Sequence, residues 1–222
     1  PESVGLTKKM NLKDIVVVGM GKKSVAPTTE EMLGIGNAVV KSLGKDKTAV
    51  VLGAGKESVA LADAVLRSSY TYDKEKSGLL GSKSSKLHID FAVANPKCKE
   101  KAFEPRRVTT LSSFWAANLA NKPSNRLTPG EYAGKIKNTL PELGIKVSII
   151  NDSTHSATFE RMGGVQAVGR ASMNVGQSES DRKPNVVVME YDGTGGKDVK
   201  PVVLIGKCVT FDTGGINLKP DT

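Results

Sequence analysis

Two lysines and one aspartate near the C-terminus are the residues best suited to chemistry. An apolar run, Val203-Leu204-Ile205, leads into Gly206. Lys207 follows, Asp212 comes five residues later, then the pair Gly214-Gly215, and Lys219 stands before Pro220. Apolar Val209 and Phe211 lie between Lys207 and Asp212, so the spacing predicts that both charges sit beside a buried layer. A charge so placed needs an opposite charge, hydrogen-bonding partners or a metal ion, because desolvating it alone is costly. The glycine pair permits close backbone approach or positive φ next to Asp212. The bland alternative for the same stretch is a strand, a loop and an exposed lysine.

Other candidate residues are weaker. His88 lies on a predicted strand and His155 in a polar stretch, and neither has a second His or Cys at metal-ligand spacing, so both read as structural or exposed. No Ser/His/Asp or Cys/His nucleophile set assembles. Gly19-Met20-Gly21 and Gly53-Ala54-Gly55 each follow a predicted strand, but neither completes GxGxxG or GxxxxGK[ST], and tight turns account for them. Cys98 and Cys208 are far apart and outside any CxxC, which argues against a disulfide framework and for a reducing, cytoplasmic setting.

These residues must be positioned by a chain of 222 residues, long enough for one large domain or two modest ones of roughly 100–150 residues each. Asp14–Met20, Thr48–Leu52 and His88–Ala94 read as strands. Thr28-Thr29-Glu30-Glu31 opens a helix with Met32, Ile35, Val39 and Leu43 at helical spacing, and Glu57–Tyr70 forms a second. Strand and helix alternate, which predicts an α/β layer with a largely parallel sheet over 1–107. The charged, Gly- and Ser-rich stretch Asp73–Lys86 reads as an exposed loop. A linking helix is expected over 108–122, stopped by Pro123. Thr128-Pro129-Gly130-Glu131 then starts a second domain, 123–222, with a threonine cap, a first-turn proline and a glutamate three residues after the cap. Lys146–Ile150, Asn185–Tyr191 and Pro201–Ile205 read as its strands. The net charge of +9 describes a basic surface and leaves a polyanion partner such as nucleic acid open. No run approaches the roughly 20 apolar residues of a membrane span, and Pro1-Glu2-Ser3-Val4 lacks a signal-peptide pattern.

The segment Gly206–Pro220 resembles the "GKGVTFDSGG.S.KP" signature of M17 leucine aminopeptidases at Gly206, Lys207, Val209, Thr210, Phe211, Asp212, Gly214, Gly215, Leu218, Lys219 and Pro220. Ala117–Ala133, Arg161–Ser172 and Val187–Gly193 resemble further family stretches in the same order, strongly over about 117–222 and more loosely before it. The resemblance implies a small macrodomain-like α/β domain, a linking helix and the start of an α/β metallopeptidase domain. It implies a leucyl aminopeptidase that uses two divalent metal ions, Zn2+ with Mn2+ or Mg2+ as alternatives, acts on peptide substrates and assembles as a hexamer. Lys207 would ligate one metal through its amine, Asp212 would bridge both, and Lys219 would polarise the scissile carbonyl. The family's remaining acidic ligands and an arginine have no counterpart up to Thr222, so this stretch alone is expected to be inactive. Three positions depart from the pattern: Cys208 and Asn217 stand where the family has glycine and serine, and Thr213 replaces a serine. The alternative reading is a non-catalytic structural or DNA-binding protein on the same scaffold.

Overall fold

The computed structural model describes residues 17–19, 25–43, 48–51, 57–72, 88–91, 96–170 and 183–210, without the side chains of 96–98 and 170. The chain divides into two compact units, Pro1–Asn118 and Leu119–Thr222. Both mix helices with small sheets, as the expected α/β class requires.

In the first unit, α1 spans Thr29–Leu43. Its start is fixed reciprocally: the Glu31 N–H donates to Thr28 Oγ1 at 3.2 Å, and the Thr28 N–H donates to Glu31 Oε2 at 2.7 Å. This is a capping box, which satisfies two donors that the first turn leaves free. Strand β1, Thr48–Val51, pairs in parallel with β2, His88–Phe91, with Thr48 opposite His88. Helix α2, Ser58–Ser68, lies between them in the chain, because parallel neighbours need a crossover. The core is Met32 and Val39 of α1 against Leu61, Ala64 and Val65 of α2, with Ile35, Leu43, Ile89 and Phe91 at its margin. Gly36 permits the close helix approach: a Cβ there would stand 2.5 Å from the Ala64 carbonyl carbon.

Helix α3 runs Pro96–Ala120, so it begins well before the expected 108. Pro96 opens the helix, where a missing N–H costs nothing. Pro105 lies inside α3, and Thr109 Oγ1 donates to its carbonyl at 2.9 Å. The first part of α3 is tied to α2 by a buried carboxylate. Asp63 accepts from Thr110 Oγ1 at 2.8 Å and Arg67 Nε at 3.1 Å, and Arg106 Nη1 lies 3.7 Å away. Further along, the Tyr70 and Phe114 rings pack with centroids 5.0 Å apart.

In the second unit, α4 spans Pro129–Thr139, capped as expected: Thr128 accepts from the Glu131 N–H at 3.3 Å, and Pro129 opens the first turn. Ala133 and Ile136 are its buried residues. A short 3-10 turn, Pro141–Leu143, ends at Gly144 with φ 77°, a left-handed conformation suited to glycine. Strands β3, Lys146–Ile150, and β4, Val186–Glu190, form an antiparallel pair with Lys146 opposite Glu190. Those two ends also form an ion pair of 2.8 Å. Between them lie α5, Ser156–Glu160, and α6, Gly163–Arg170.

Two strand expectations require correction. Residues 201–205 are irregular, and Ile205 is 95% exposed. β-branched residues favour a strand only where a neighbour supplies a ladder, and this segment has none among the described residues. In Asp14–Met20 only 17–19 are described; they are not in a strand, and Val17 is 90% exposed. The loop Asp73–Lys86 and both Gly-x-Gly turns lie wholly or partly outside the described residues.

Candidate metal and peptide site around Lys207

Strand β4 ends in a turn organised by one carboxylate. Asp192 accepts from Thr194 Oγ1 at 2.6 Å and from the N–H groups of Thr194 and Gly196, both at 2.8 Å. Gly195 and Gly196 both take positive φ, at 69° and 86°. The Thr194 side chain first, and then the two N–H groups, hold the Asp192 carboxyl below its ordinary range. The chain then runs through the exposed residues 201–209, and Lys207 lies in this exposed stretch. Asp212 and Lys219, the other two predicted site residues, lie outside the described residues. Thus Lys207 alone of the three is placed.

Exposure falls at the end of this stretch. Exposure drops from 95% at Ile205 to 37% at Val209, and Thr210 is half-buried. Cys208 is an exposed free thiol, and Tyr132 of α4 is half-buried. The influence of Cys208 first, and then burial, pushes the Tyr132 phenol up to about 12.

Neither histidine joins the site. His88 is exposed, with Nε2 3.3 Å from Asp90, and His155 precedes the short helix α5 without capping it through its side chain. Among the described residues no three His, Cys, Asp or Glu side chains stand together as metal ligands. An amine and a carboxylate suit divalent ions chemically, but the described donors by themselves do not compose a metal centre. Among the described residues no helix is long and apolar enough to cross a membrane.

Residues 114–222 match the catalytic domain of the cytosol aminopeptidase family. The chain is 31% identical over 225 residues to a probable cytosol aminopeptidase of Brucella anthropi, covering 96% of this chain and 43% of that protein. It is 32% identical over 212 residues to a probable cytosol aminopeptidase of Wolbachia pipientis wMel, covering 94% and 40%. The chain therefore spans less than half the length of these relatives. Its fold is similar to that of the bottromycin maturation enzyme BotP, solved in complex with Mn. The TM-score is 0.58 at 22% identity, over 80% of this chain and 36% of that one. The relatives align over nearly the whole chain and the family match takes in Lys207, Asp212 and Lys219, so residues 114–222 are similar to the catalytic domain of the cytosol aminopeptidase family and the rest of the chain to the relatives' preceding part.

Proposed function

We propose that this chain is part of a metal-dependent aminopeptidase that releases N-terminal residues, leucine preferred, from peptides by two-metal hydrolysis. The observation that carries the reading is the run Gly206–Pro220, which keeps Lys207, Asp212 and Lys219 in order within the matched catalytic domain. Divalent ions held by Lys207 and Asp212 would supply an activated water and a positive charge for the carbonyl oxygen. The protein's own residues have separate tasks. Lys207 can donate a lone pair only as a neutral amine, which burial or a neighbouring dication favours by lowering its proton affinity. Asp212 offers two oxygens, enough to bridge. Lys219, as a protonated amine, would stabilise the developing oxyanion. Losing an oxyanion donor typically costs about 10²–10³ in kcat.

The test is hydrolysis of leucine anilide by the complete protein, stripped with chelator and reloaded with zinc or manganese. Activity that follows the added metal, and falls about 10²-fold or more in Lys219→Ala, is the expected result. A complete, folded, metal-loaded protein without activity would refute the reading. Homo-oligomerisation, as a hexamer, belongs to the same proposal and is checked by the mass of the complete protein in solution.

A second reading, a nucleic-acid-binding role, is favoured by the distribution of charge. Residues 1–118 hold 19 of the 32 basic and 12 of the 23 acidic residues, and so carry +7 of the net +9. Basic surface of this kind binds polyanions through counterion release.

A further inference from the structure

We propose that the first unit binds a small organic ammonium ion with an apolar body, in a cavity walled by α2, β2 and α3. All the residues that line this cavity belong to the first unit, so the binding is independent of the aminopeptidase reading.

The cavity has a volume of about 720 Å³, within the range that holds small-molecule ligands. Its walls are largely apolar, with Val59, Val65 and Leu66 of α2 and Ile89 of β2 among them. Three further observations narrow the ligand. First, Ser58 lines the cavity and is only 3% exposed, yet its Oγ has no hydrogen-bond partner among the described residues. Buried hydroxyls are nearly always bonded, so this one is available to a ligand, and its oxygen can accept from an ammonium N–H. Second, two carboxylates line the cavity, those of Asp90 and Glu100. Glu100 has no ion pair among the described residues. Asp90 lies 3.3 Å from His88 Nε2, and an imidazole offsets its charge only when protonated. The two cations of the lining are already engaged. Arg107 donates to both oxygens of Glu104, each at 2.7 Å, and Lys99 also has a partner. The charge left for a ligand to meet is therefore negative. Third, Phe91 and Phe103 bring two aromatic rings to the walls, and the face of a ring attracts a cation. An anion would be repelled by the carboxylates, and a wholly apolar molecule would leave Ser58 unbonded. A cation on an apolar body answers all three features.

The experiment titrates the complete protein with para-fluorophenethylamine, followed by fluorine NMR, with and without a metal chelator. The matched neutral alcohol, para-fluorophenylethanol, is titrated alongside. Two variants are compared: Asp90→Asn combined with Glu100→Gln, and Ala62→Phe, which sets a ring into the cavity that Ala62 lines. The expected result is saturable binding of the amine that survives chelation and is several-fold tighter than that of the alcohol. It should weaken several-fold in the Asp90→Asn, Glu100→Gln protein and vanish in Ala62→Phe. Absence of saturable binding overturns the proposal. So does binding that disappears with chelator, which would place the amine on metal ions, and so does equal affinity for the alcohol or equal affinity of the carboxamide variant. Asp90 and Glu100 are exposed, so their replacement leaves the fold intact and decides the matter even if Ala62→Phe does not fold.

Discussion

Asp63 shows how much a single carboxylate can organise. It lies on α2, is buried, and accepts from Thr110 and Arg67. Asp63→Ala leaves the buried Thr110 hydroxyl without this acceptor, and a stranded buried donor costs about 1–3 kcal/mol. Thr110→Val removes the donor but keeps the shape, and should cost less, about 1 kcal/mol. Urea unfolding of the three proteins checks the order; a Thr110→Val variant less stable than Asp63→Ala would contradict it. Tyr132 supplies a pH prediction. Its folded phenol is raised from 10.0 to about 12, so its surroundings stabilise the fold fully below pH 10 and that contribution is lost as pH rises towards 12. In an alkaline titration followed by phenolate absorbance, Tyr132→Phe should remove a component that titrates late. None of these contacts was legible in the sequence, because Asp63 and Thr110 are 47 residues apart and nothing local announces their meeting. The caps were legible: Thr28 and Glu31 satisfy each other, and Thr128 accepts from the Glu131 N–H, in both cases across three residues.

Helices and strands differ in what the sequence could disclose. Helix α1 carries its own apolar period and cap, and it forms where expected. Residues 201–205 carry strand propensity just as strongly, but a strand also needs a neighbour, which propensity cannot supply. Helix α3 is longer than its sequence predicts because Pro96 and Pro105 both resemble stops; the first suits a helix start, and the second is tolerated within it. Of the candidate site, the residue types were legible but their geometry was not, since spacing along an irregular segment does not fix where side chains meet; Lys207 is placed, while Asp212 and Lys219 lie outside the described residues. Two glycines of α1 give a matched test of helix packing. Gly36→Ala sets a methyl against the Ala64 backbone, and overpacking of about 1–3 kcal/mol outweighs a helix-propensity gain of at most about 1 kcal/mol. A Cβ at Gly34 would meet nothing within 4 Å, so Gly34→Ala should stabilise by up to about 1 kcal/mol. Opposite signs in thermal unfolding are expected, and the same sign would mean that α1 and α2 are not in close contact.

At the scale of the whole molecule, the uneven charge makes a prediction of its own. If the first unit binds nucleic acid, fluorescence anisotropy with duplex DNA should show binding at low salt that weakens log-linearly as salt rises. Absence of binding at low salt would leave the +7 of residues 1–118 as solvating charge. The order of synthesis adds a constraint in time. The cap contacts of α1 and α4 join residues three apart, whereas Thr48 must find His88, and Lys146 must find Glu190. A helix of this size forms in about a microsecond, but a ribosome adding roughly 5–20 residues per second needs some seconds to deliver the later strand. During synthesis each unit therefore passes through an interval in which its first helix can already exist and its first strand still awaits a mate.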